Sequence, residues 1–143
     1  MARFEHSLTI DAPPETVWAT WTDVESWPEW APAMKSVKLQ TDGDFGVGSR
    51  ARIEATGGPP SVWEVTALAP GESFEWRTRV RGITIVGGHD VRNVAGRSEI
   101  TASIEYQGLM SVLFRPMLMR VAKRNVPAEC EGLKRRSEGE AAR

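Results

Sequence analysis

Apolar and polar side chains alternate in short runs from Met34 to Gln107, with turn residues breaking the pattern at regular intervals. Thr41-Asp-Gly-Asp44 with Gly46 and Gly48, Gly57-Gly-Pro-Pro60, Pro70-Gly71, Gly82 and Ala95-Gly96 mark the breaks. A period of two is the pattern of half-buried strands, and such short separations are hairpin connections. The spacing predicts strands at Arg3–Asp11, Met34–Gln40, Ser49–Ala55, Val62–Leu68, Ser73–Val80, Ile83–Val94 and Arg97–Gln107. From Leu109 the period changes: Met110, Leu113, Phe114, Met117 and Val121 recur at helical steps, predicting a long amphipathic helix. Its other face carries Arg115, Arg120, Lys123 and Arg124. Pro116 and Pro127 predict that this helix starts late or kinks, and Ser137 to Arg143 read as a frayed tail.

Between the first two strands lie Trp18, Trp21, Trp27 and Trp30, four of the six tryptophans within thirteen residues. Pro14 suits a first helical position and Glu15 its first turn, so a helix begins there. Pro28 excludes one continuous helix and assigns Trp27–Trp30 to a second short piece. Aromatic mass of this kind packs a core or roofs an apolar cavity. The order is strand, two short helices, six strands, long helix. That predicts an α+β fold: a curved, seven-stranded antiparallel sheet wrapped on the C-terminal helix, with a cavity between them.

The bulk numbers narrow the function classes. A chain of 143 residues is one domain, with room for a core and a modest pocket. With 18 basic and 19 acidic residues, nothing resembles a nucleic-acid-binding stripe. Cys130 is alone, which leaves no disulfide framework or thiolate metal cage and suits a reducing cytoplasm. No apolar run is long enough for stable membrane insertion, and the N-terminus lacks a signal core. Two histidines and scattered carboxylates have no metal-ligand spacing, Gly46-Val-Gly48 lacks the companions of a phosphate loop, and no Gly-x-Ser-x-Gly elbow occurs. No cofactor is expected, and the state is monomer or homodimer.

Strand parity assigns the faces. Phe74, Trp76, Thr78 and Val80 oppose Glu75, Arg77 and Arg79, so the first set faces inward. Ile83, Ile85, Gly87, His89 and Val91 align in the next strand, and Ser98, Ile100, Ala102, Ile104 and Tyr106 in the last. Glu64 alternates with inward Trp63, and Arg50 and Arg52 flank inward Ala51, so these charges face solvent. His89 therefore sits on an apolar inner face beside Trp76, Tyr106, Leu113, Phe114 and Met117. It is either a ligand contact, an acid or base, or a core histidine bonded to a carbonyl. Gly87-Gly88 before it predicts a bulge or the close approach of another backbone. The expected ligand-binding set is Trp30, Trp63, Phe74, Trp76, Thr78, Ile85, His89, Ile104, Tyr106, Leu113, Phe114 and Met117, with Trp27 and Trp30 near the entrance.

Ala12-Pro-Pro-Glu-Thr-Val-Trp18 with Trp27-Pro-Glu-Trp30, Gly46-Val-Gly-Ser-Arg-Ala-Arg-Ile53, Trp63-Glu-Val-Thr66, Gly82 through His89 and Glu131-Gly-Leu-Lys-Arg135 together resemble START-like helix-grip proteins. The likeness is to their polyketide cyclase/dehydrase group, also called SRPBCC, and it covers nearly the whole chain. The resemblance implies the helix-grip fold and either ligand carriage or polyketide chemistry. Three functions follow as expectations. The first is a container for a hydrophobic or aromatic small molecule, lipid-like or polyketide-like. The second is an aromatase/cyclase or dehydratase using His89, with Tyr106 orienting a carbonyl. The third is an interaction module whose basic helix face meets an acidic partner or a membrane surface.

Overall fold

The computed structural model describes residues 2–143. Seven strands form one antiparallel sheet: β1 (Ala2–Ile10), β2 (Met34–Leu39), β3 (Arg50–Ala55), β4 (Ser61–Ala69), β5 (Ser73–Val80), β6 (Ile83–Val94) and β7 (Arg97–Gln107). Their order across the sheet is β1-β7-β6-β5-β4-β3-β2. Strands β2 to β7 are a meander of hairpins, while β1 returns beside β7 with Ala2 opposite Tyr106 and Ile10 opposite Ser98. Hairpin chemistry fixes the two tightest joints. In Arg81-Gly82 and Ala95-Gly96 both residues have positive φ, the two-residue turn whose twist matches the flanking strands.

Helix α1 (Pro14–Thr22) begins with Pro at its first turn, followed by Glu15. A short 3-10 helix, Val24–Glu29, holds Pro28 and is the separate piece that the proline demands. After β7 come α2 (Leu109–Leu113) and α3 (Arg115–Ala141), broken at Phe114 with Pro116 at the start of α3. Two expectations are corrected here. The segment after Ser137 is helical rather than frayed. Leu133 and Ser137 are fully buried, Lys134 Nζ donates to the Thr9 carbonyl, and Glu138 accepts from the Asp11 N–H. The apolar stripe also lies elsewhere. The buried face of α3 is Ala122, Val126, Cys130, Leu133 and Ser137, whereas Leu113 is 68% and Met117 54% exposed, with Leu109, Val112 and Phe114 also open. The break at Phe114 rotates α3 away from the register set by Met110 and Leu113.

Alternation holds along β5, β6 and β7: Phe74, Trp76, Thr78, His89, Val91, Ser98, Ile100, Ala102 and Tyr106 are buried, while Glu75, Arg77 and Arg79 are exposed. Register shifts after Val65 in β4 and after Met34 in β2 interrupt it there. The core packs Trp21, Trp27, Ile10, Val17 and Ile100 against Leu133 and Cys130 of α3. Close approach of α3 to the 3-10 helix depends on Gly132, where a Cβ would run into the Trp30 carbonyl. No register shift occurs at Gly87-Gly88 in either neighbouring pair, so there is no bulge. Side chains rather than backbone fill the space there. Trp76 Nε1 lies 3.1 Å from where a Gly87 Cβ would be, and Ser103 covers Gly88. Among the described residues no helix is long and apolar enough to cross a membrane.

Candidate functional site

A cavity of about 620 Å³ lies between the concave face of the sheet, the 3-10 helix and α3. That is within the range of small-molecule pockets, roughly 300–1,000 Å³. Trp63, Trp76, Ile53, Ile85, Ile104 and Val121 give it apolar walls. Gly57, Gly58, Pro59, Arg81 and Met117 line it and are exposed, so its mouth lies where the β3–β4 and β5–β6 turns face the start of α3. From Ile83 at that end to His89, six residues of strand span about 20 Å.

The deep end is built from β6, α1, the 3-10 helix and α3. His89 is 5% exposed and stacks on Phe74 with ring centroids 3.9 Å apart and planes 8° from parallel. Trp21, Trp27 and Trp76 present rings at 5.1, 5.7 and 5.8 Å. His89 Nδ1 lies 3.1 Å from the Phe74 carbonyl oxygen. A carbonyl only accepts, so Nδ1 carries the proton and Nε2 keeps its lone pair. Nε2 sits 4.0 Å from Glu129 Oε2, which accepts from Trp21 Nε1 at 3.0 Å.

This pair is not an ion pair, despite its spacing. Burial holds the imidazole down at about 3, against the smaller opposing effect of the Phe74 bond. Burial also pushes the Glu129 carboxyl up to about 7, only partly offset by the Trp21 N–H. Both groups are therefore neutral in mildly acid solution. Nearer the mouth, Tyr106 is buried and its hydroxyl is pushed up to about 12 by desolvation. It makes no side-chain hydrogen bond among the described residues. No cluster of three metal-ligating side chains occurs among them either.

Of the expected ligand set, Trp63, Trp76, Ile85, His89, Ile104, Tyr106 and Met117 line the cavity. Five do not. Phe74 is packed beneath His89 and against Trp18 and Phe45. The Thr78 hydroxyl is taken up by the Val62 carbonyl. Trp30 turns into the core, its Nε1 donating to Ser26 Oγ, so it lies away from the entrance; Trp27 is likewise buried, at the deep end. Leu113 and Phe114 lie on and just after α2, exposed and outside the cavity. His89 is ringed by Trp21, Trp27, Phe74 and Glu129 instead of those two residues. Tyr106 does not meet it: His89 pairs with Ala102, four residues or about 13 Å of strand from Tyr106. Sequence reasoning missed Glu129. Its signal was an acidic residue three places after buried Val126 and four before Leu133, on one helical face.

In sequence, residues 1–138 match the family model described as polyketide cyclase / dehydrase and lipid transport. No curated protein matches the chain in sequence. Among solved structures it is similar to TTHA0849 from Thermus thermophilus, with a TM-score of 0.80, 16% identity, and 98% of this chain and 99% of that one covered. The Zhui aromatase/cyclase from a Streptomyces species gives 0.79 at 19% identity, covering 96% and 93%. Ara h 8.0201 gives 0.75 at 16% identity, covering 95% and 97%. At such identities the structural likeness establishes the helix-grip fold alone. With a family match spanning nearly its full length, the chain belongs to the polyketide cyclase/dehydrase and lipid transport family of the SRPBCC helix-grip superfamily.

Proposed function

We propose that this protein is a container for a hydrophobic or aromatic small molecule held between the sheet and α3. The observation that carries the reading is the cavity itself: about 620 Å³, walled by tryptophan and isoleucine, with few polar atoms and an open mouth. Burying apolar ligand surface in such walls is favourable by roughly 25 cal/mol per Å² before the costs of association. Trp27, Trp63 and Trp76 line the cavity and serve as reporters. Titration with fatty acids, flavonoids and steroids is expected to quench or blue-shift tryptophan emission for at least one class. A flat response to all three, with no small molecule retained in native mass spectrometry, would overturn the reading.

A second reading, an aromatase/cyclase or dehydratase acting on a bound polyketide, draws on the family and on one observation. Glu129 is a cavity carboxyl held near 7, where a general acid or base is most effective. His89, held near 3, would act beside it as a hydrogen-bond acceptor. Turnover of a polyketide that Glu129→Gln abolishes while sparing its binding would establish this reading. Unaltered turnover in that variant would remove Glu129 from it.

A further inference from the structure

We infer that the deep end of the cavity receives a single hydroxyl on an otherwise apolar, uncharged ligand, an alcohol or a phenol, held between His89 and Glu129. The inference rests on the container reading and names the ligand class for that same site. Nε2 and Oε2 are 4.0 Å apart, too far for a hydrogen bond to each other. One oxygen placed about 2.8 Å from both closes that gap with two good hydrogen bonds. The roles are complementary. Nε2 can only accept, because Nδ1 spends the ring's proton on the Phe74 carbonyl. A neutral Glu129 carboxyl protonated at Oε2 donates from that atom, whose remaining lone pair faces Trp21 Nε1. A ligand hydroxyl donates to the first and accepts from the second.

The surroundings exclude the obvious rivals. Phe74, Trp21, Trp27 and Trp76 crowd the imidazole, and among the described residues no side chain hydrogen-bonds to Nε2. A carboxylate ligand would bring a negative charge against a buried acid with no cation beside it. Arg81, the cation that lines the cavity, lies at the mouth. A plain hydrocarbon end would leave Nε2 desolvated and unpaired. Sites built to pair a hydroxyl discriminate strongly against analogues that lack it.

The test is calorimetric titration of the intact protein at about pH 6 with 2-naphthol, 2-methylnaphthalene, 2-methoxynaphthalene and 2-naphthoate. Expected is 2-naphthol binding about tenfold or more tighter than each of the others, although the methyl compound gains more from leaving water. His89→Phe, which keeps a stacking ring, and Glu129→Leu are expected to lose this preference. The ratio in the unmodified protein does not depend on any variant folding. Equal binding of all four probes would overturn the hydroxyl site and leave the container standing. Binding of none would overturn the hydroxyl site, and only the flat tryptophan response described above would overturn the container with it. A preference that survives in both His89→Phe and Glu129→Leu would place the hydroxyl elsewhere and overturn the assignment.

Discussion

His89 and Glu129 are pushed in opposite directions by the same lack of water, and the two effects oppose each other in stability. The imidazole falls from 6.5 to about 3, so the unfolded chain binds the extra proton as pH drops. Its contribution is complete above 6.5 and is lost on descent toward 3. The carboxyl rises from 4.5 to about 7, so the unfolded chain releases its proton first. Its cost is absent below 4.5 and complete above 7. Between 4.5 and 6.5 the slopes cancel, and stability set by this pair is flat. Glu129→Gln, which still accepts from Trp21, is expected to raise stability at pH 8 by on the order of 2–3 kcal/mol and to do nothing at pH 4. Urea melts at both pH values check this; an equal effect at both would mean that ionisation plays no part. The inward placement of His89 was legible because Ile83, Ile85 and Val91 alternate with charged neighbours. Glu129 was not, because extending the Met110–Val121 stripe past Phe114 lands one residue off, and one residue of helix is a turn of about 100°.

At the level of the element, two side chains of similar size on the last helix should behave very differently. Met117, over half exposed at the cavity mouth, is expected to cost less than about 1 kcal/mol when changed to Ala. Leu133, wholly buried in the core, is expected to cost about 2–5 kcal/mol. Denaturant unfolding of the pair tests the rotation of α3 directly; comparable losses would restore the register predicted from sequence. Strand existence and bounds, and the inward faces of β5, β6 and β7, were readable to within a residue or two, because alternation and turn chemistry are local. The return of β1 beside β7 and the register shifts in β2 and β4 were not. The helical break was announced by Pro116, yet its angular consequence was not. That angle is set by contacts far off in sequence, such as Gly132 beneath the Trp30 carbonyl.

Over the whole molecule, the sheet is a chain of neighbours with one exception: β1 is held by β7, nearly a hundred residues later, and by the far end of α3. Pulse-labelled hydrogen exchange during refolding is expected to show β1 amides protected together with β7, after the β5–β6 hairpin. Early, separate protection of β1 would refute that order. Loop closure over such a span must precede its reward, which places folding among the slower mixed α/β domains. The packing of α3 on the N-terminal helices has a consequence on the ribosome. Trp21 and Trp30 leave the exit tunnel on the order of a hundred residues ahead of the part of α3 that packs on them. At roughly 5–20 residues per second, that aromatic surface stays uncovered for several seconds of synthesis, a window in which a nascent-chain chaperone would find it.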